Sequence, residues 1–219
     1  MYLKKNVLLN HVKENMTIYI FMVTLFLTGI IFGAITVNSM NFIQKQDLFF
    51  HLDRYFIQIN GEQEIANKDI LKRSFFFHMK YLFLLFILGL TIIGLPIVWI
   101  LVFIKGLVIG FSVGFIVNQL GGKGLLLASL SIAPQNIITI PIYIIAGSLS
   151  MIFSLALLHK LFGKGRVSHS LGKPFVQYTF IFLILLLCAL GSSLIETFVA
   201  NEAFKAILRT SYSIMLNLT

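Results

Sequence analysis

The chain is 58% hydrophobic and 11% charged over 219 residues. Ordinary soluble domains run near about 45–50% apolar and about 25% charged, so a conventional soluble core is excluded. A net charge of +9 raises nucleic acid as a partner, but the basic residues are not interleaved with aromatics on a soluble face, and no nucleic-acid partner is expected.

Those basic residues gather instead at Lys4, Lys5 and Lys13, and again at Lys160, Lys164, Arg166 and Lys173. Positive charge beside apolar spans marks the cytoplasmic side, so both clusters are assigned there. The first span covers about 18–37 and runs outward. It carries no charge, is too long for a secretory signal and lacks a small-residue cleavage site after it. Within it Gly29 and Gly33 stand at the spacing that lets another helix approach closely, which predicts packing inside this protein in preference to dimerisation.

From Asn38 to Arg73 the composition turns to mixed charge. Leu48, Leu52, Tyr55, Phe56 and Ile59 recur at helical spacing and Asn60-Gly61 supplies a stop, predicting an extracytoplasmic amphipathic helix over 41–60. Its apolar stripe, Leu48, Leu52, Phe56 and Ile59, is the candidate partner-binding surface, with the lipid surface and the bundle as competing uses. A helix starting near Asn67, with Asp69 in its first turn, leads into the second span.

The strongest membrane signal follows. Tyr81 to Val117 contains a single charge, Lys105, and is nearly two spans of about 20 residues placed end to end. Gly94-Leu95-Pro96 divides it into spans 75–95 and 97–117 joined by a tight cytoplasmic hairpin. Gly106, Gly110 and Gly114 recur every four residues and form a second close-packing stripe.

Gly121, Gly122 and Gly124 make the next turn, on the outside. Leu125 to Leu158 is too long for one straight span, and Pro134-Gln135-Asn136 with Pro141 divide it into a half-helix and a span over 137–158. The basic loop returns inside and the last span covers 175–200. Phe204, Ile207, Leu208, Tyr212 and Met215 then give a second outer amphipathic element over 201–219. The predicted fold is a single all-α domain over 1–219. It is a polytopic membrane helix bundle with about five transmembrane helices, one broken segment and two extracytoplasmic amphipathic helices. The N-terminus lies in the cytoplasm, the C-terminus outside, and membrane lipid is the surrounding partner.

Chemistry-bearing motifs are sparse. His11, His51, His78, His159 and His169 sit at membrane flanks with no ligand spacing, and Asp47 with His51 reads as the wet side of an amphipathic helix. No phosphate loop, nucleophile elbow or intramembrane protease motif is present, and the single Cys188 excludes an intrachain disulfide. No catalytic residue, cofactor or metal is expected, and the chain is not predicted to be an enzyme. Lys105, roughly 13 Å past Pro96 and near the midplane, marks a functional site by default. No carboxylate lies at matching depth, since Glu196 falls near the outer interface. The expected acceptors are the amides and freed carbonyls around Pro134, Gln135 and Asn136, so that Lys105, Gln135 and Asn136 form an intramembrane polar cluster. That cluster is either a structural satisfaction of the lysine or part of a transport or gating device using the broken helix 124–158. The two halves show no clear repeat that favours transport.

The sequence resembles the stage II sporulation protein M family. The resemblance lies in GIIFGAITVNSMNFIQKQD (Gly29 to Asp47), KGLVIGFSVGF (Lys105 to Phe115) and APQNIITIPIYIIAG (Ala133 to Gly147), and extends over essentially the whole chain. The wider family carries Pro-His-Gly and a following glutamate where this chain has Pro134-Gln135-Asn136 and Thr139. The resemblance implies a membrane scaffold in sporulation engulfment, in the mother-cell septal or engulfing membrane. It further implies that the scaffold holds two peptidoglycan-degrading partners, stage II sporulation proteins P and D. It assigns no binding residue.

Overall fold

The computed structural model describes residues 12–48, 50, 67–131, 133–162 and 172–195. Five long helices lie within them: α1 Met16–Ser39, α2 Asn67–Gly89, α3 Gly94–Ser131, α4 Ala133–Phe162 and α5 Gly172–Ile195. The described residues are all-helical apart from short turns. Met16–Ser39, Gly94–Gln119, Asn136–Phe162 and Gly172–Leu194 are each long and apolar enough to cross a membrane. Large side chains such as Phe32, Phe83, Phe180 and Leu187 face outward from the bundle, as in helices whose solvent is lipid. The chain is a multi-pass membrane protein. The helix α2 packs in the same bundle, but it carries Lys68, Asp69, Lys72, Arg73 and Lys80, which leave its uncharged length short of the roughly 20 residues of a full span.

The helix pair α1 and α3 makes the most extensive contact, and glycine explains why. A methyl group built on Gly29 would overlap the Phe103 carbonyl oxygen, and one on Gly33 that of Leu107. From the other side, a methyl on Gly106 would meet the Phe26 carbonyl and one on Gly110 that of Ile30. Farther along, a methyl on Gly114 would stand 3.2 Å from the Ala34 Cα. Two glycine stripes therefore face each other backbone to backbone. Contacts advance together along both chains, so α1 and α3 run parallel.

A second set of contacts orders the remaining helices. His78 meets Tyr143, Ser150 donates to the Leu85 carbonyl, and Ser154 donates to that of Thr91, so α2 and α4 are also parallel. Ser74 pairs with Ser193, while Tyr178 donates to the Phe86 carbonyl, so α5 is antiparallel to α2. One end of the bundle therefore gathers the start of α1, the α2–α3 turn, the end of α4 and the start of α5. At the other end lie Ser39, Asn67 and Ile195. The core between them is built on Met22, Phe26, Leu82, Leu85, Val102 and Tyr143.

Two boundaries differ from the sequence expectation, and a third, the glycine turn after the third span, falls where it was expected. The second helix stops at Gly89, not residue 95, because Thr91 closes a turn: its hydroxyl donates to the Leu88 carbonyl at 3.0 Å and accepts from the Gly94 N–H at 3.1 Å. A side chain at Gly94 would overlap Leu88, so this turn requires glycine. Gly121 (φ 58°, ψ −136°) breaks α3 in a conformation that L-residues avoid. The short helical stretch after it turns Gly124 and Ala128 inward and Leu125 outward. Pro141 does not divide the fourth segment, and α4 continues through it to Phe162. Pro141 lies on the exposed side with Ile137, four residues earlier, and the helix absorbs the one lost backbone bond.

Candidate functional site

Helices α2, α3 and α4 converge on Lys105, which is half-buried about 16 Å along α3 from Gly94. Its Nζ lies 4.5 Å from the ring centroid of Phe77, 4.8 Å from that of Tyr143 and 5.3 Å from that of Tyr81. All three distances fall within the about 6 Å reach of a cation–π attraction, which is strongest where water is excluded. The rings are themselves fixed. Tyr81 and Tyr143 meet edge to face at 4.4 Å, and the Tyr81 hydroxyl donates to the Leu101 carbonyl at 3.0 Å. The Tyr143 ring is 1% exposed, and its hydroxyl shares a 2.5 Å hydrogen bond with His78 Nδ1.

Periodicity places these groups together. Ser74 and His78 lie one turn apart on the inner face of α2; Asn136, Thr139 and Tyr143 follow one face of α4. Thr139 pairs with Ser192 at 2.5 Å and Ser74 with Ser193 at 3.4 Å, so α5 closes the polar ladder beyond the lysine. Toward the opposite end a separate layer ties the helices. The Ser150 hydroxyl is shared between the Leu85 and Ala146 carbonyls at 2.9 and 2.8 Å, and the Tyr178 hydroxyl donates to the Phe86 carbonyl at 3.0 Å. Trp99 Nε1 donates to the Met151 sulfur at 3.4 Å.

Of the expected cluster of Lys105, Gln135 and Asn136, the described residues show the surroundings of Lys105 and the position of Asn136. Lys105 sits in an aromatic cage of Phe77, Tyr81 and Tyr143, residues the sequence reading did not single out, although Phe77 and Tyr81 are four apart and share a helix face. Asn136 is half-buried on the face of α4 that carries Tyr143, two turns or about 10 Å away. The Gln135 side chain lies outside the described residues. His78 is not a flank residue but an interior one, 7% exposed. A second cation was missed: Lys80 lies on the exposed side of α2, about 14 Å from Gly89.

The partner-binding candidates are reached only in part. Leu48 is half-buried at the end of the helical residues 42–48, where Phe42 and Ile43 are exposed. Leu52, Phe56 and Ile59, the tail 201–219, Glu196, Lys164 and Arg166 fall outside the described residues. Among those described, no group of three histidine, cysteine or carboxylate side chains could hold a metal ion. The hydrogen bond between His78 and Tyr143 ties α2 to α4 beside the caged Lys105 ammonium.

No curated protein and no solved structure matches the chain. Residues 22–201 match the profile of Stage II sporulation protein M, taking in every helix described above apart from the first turns of α1. This membrane protein belongs to the stage II sporulation protein M family.

Proposed function

We propose that the protein is a membrane scaffold in sporulation engulfment that anchors peptidoglycan-degrading partners, of the kind of stage II sporulation proteins P and D, at the septal membrane. Family membership over residues 22–201 is the observation that carries this reading. The helix order supports it. The segments that carry the outer amphipathic stripes, 41–60 and 201–219, are attached to Ser39, Asn67 and Ile195, all at one end of the bundle. The basic clusters adjoin the opposite end, which the positive-inside rule assigns to the cytoplasm. Docking surfaces would then project outward, toward the wall, from a rigid glycine-packed base. No catalytic role is assigned to the chain itself.

The test is a crosslinking pulldown from sporulating cells. Enrichment of wall hydrolases is expected with the native chain and not with Phe56→Asp/Ile59→Asp, which should still reach the membrane. Recovery of no hydrolase by the native chain would remove the scaffold reading. The alternative, a transporter or gate, draws on the Lys105 cage and the His78–Tyr143 pair. It requires that Lys105→Met, although stable and still recruiting partners, fail to support engulfment; the scaffold reading expects engulfment to survive.

A further inference from the structure

At the basic end of the bundle, α4, α5 and the turn after α2 border an open apolar groove of about 430 Å³ lined by Leu90, Phe153, Leu157, Gly172 and Phe175. Its floor is rigid: Phe153 is 7% exposed and stacks on Tyr178 at 4.6 Å. The size is that of a pocket for a small molecule, in the range of about 300–1,000 Å³. Its mouth is charged. Lys160 follows Leu157 by three residues on α4, hence on a neighbouring position of that helix face, and Lys173 follows Gly172 at the start of α5; both are exposed. From residue 160 to residue 173 the sequence contains lysine and arginine but neither aspartate nor glutamate. An apolar groove with the exposed Lys160 and Lys173 following its lining residues in sequence is complementary to one kind of molecule. That molecule has a hydrocarbon chain and a negative head.

We propose that this groove is a binding site for one anionic phospholipid, whose acyl chain lies along Leu157 and Phe175 and whose phosphate is held between Lys160 and Lys173. The start of α5 adds the partial positive charge of a helix N-terminus on the same side. The site is separate from the Lys105 cage and independent of which partners the outer segments hold.

The full-length protein, purified in mild detergent, is exchanged with phosphatidylglycerol or phosphatidylcholine of matched chains, and retained lipid is counted by native mass spectrometry. One phosphatidylglycerol per chain is expected to persist at detergent levels that strip phosphatidylcholine. Lys160→Gln/Lys173→Gln should lower that retention roughly thirtyfold, the scale of two lost attractions to an anionic headgroup, without altering the melting temperature of the lipid-free protein. Filling the groove, by Gly172→Leu at its exposed edge or by Leu157→Phe, should abolish retention even with both lysines present. Equal retention of the two lipids, unchanged retention in the double glutamine variant, or full retention in both groove-filled variants would each overturn the assignment.

Discussion

A lysine near the middle of a membrane costs about 2.5–3.5 kcal/mol on insertion scales, and a desolvated cation–π contact returns about 2 kcal/mol. With three rings within reach of its ammonium, Lys105 is held at little net cost. Lys105→Met exchanges the charge for an apolar side chain of similar length, so thermal unfolding in detergent should show equal stability or a gain of about 1 kcal/mol. Tyr143→Phe keeps the ring over the lysine but removes the hydroxyl from His78. It should cost about 1–2 kcal/mol in the same assay, since the change falls in a fully enclosed position. A loss in Lys105→Met larger than that in Tyr143→Phe would show that the ammonium, and not the phenol–imidazole bond, is the structural tie. The cage was half legible in the sequence. Lys105 stood out as a lone charge, and the i, i+4 pair of Phe77 and Tyr81 could have been read. Tyr143, from a distant segment, could not, because its arrival depends on how α4 docks against α2.

At the scale of helices, the α1–α3 pair makes the most extensive contact, and its glycines lie against carbonyl oxygens directly. Gly110→Leu would drive a side chain into the Ile30 carbonyl and backbone and should destabilise by at least about 1–3 kcal/mol. Gly191→Ala, where an added Cβ meets nothing within 4 Å, should be neutral or slightly stabilising on the same measurement. The parallel register can be tested by crosslinking. A Cβ on Gly114 lies 3.5 Å from that of Ala34, inside the about 3.5–4.5 Å range of disulfides. With Cys188→Ser, the pair Ala34→Cys/Gly114→Cys should close an intrachain bond on mild oxidation, seen as a faster-migrating monomer on a non-reducing gel. A disulfide-linked dimer in its place would mean that the stripes join two copies.

At the scale of the whole molecule, the start of α1, the end of α4 and the start of α5 lie at one end of the bundle, and Ser39, Asn67 and Ile195 lie at the other; the proposed orientation puts the second end outside. In intact cells with a permeabilised wall, cysteines at Glu62 and Ser213 should react with a membrane-impermeant maleimide, and one at Ser168 should not. Labelling of Ser168 with protection of Glu62 would invert the proposed orientation and remove the scaffold reading.

Composition and apolar run length were enough to establish a multi-pass helical membrane protein, because the bilayer leaves a chain so apolar few other solutions, whereas the family was legible only as a resemblance in the motifs at 29–47, 105–115 and 133–147. The glycine spacing at 29/33 and 106/110/114 likewise marked out faces of single helices, a property that local periodicity carries. Which stripe met which was decided only in three dimensions. The same holds for the early stop of α2 at Gly89, the unbroken passage of α4 through Pro141 and the enclosure of Lys105 by rings from two other helices. The physical reason is common to all of these. Inside lipid the hydrophobic effect does not favour one helix contact over another, so pairing rests on backbone approach, interhelical hydrogen bonds and ring contacts, which exist only once particular helices are side by side.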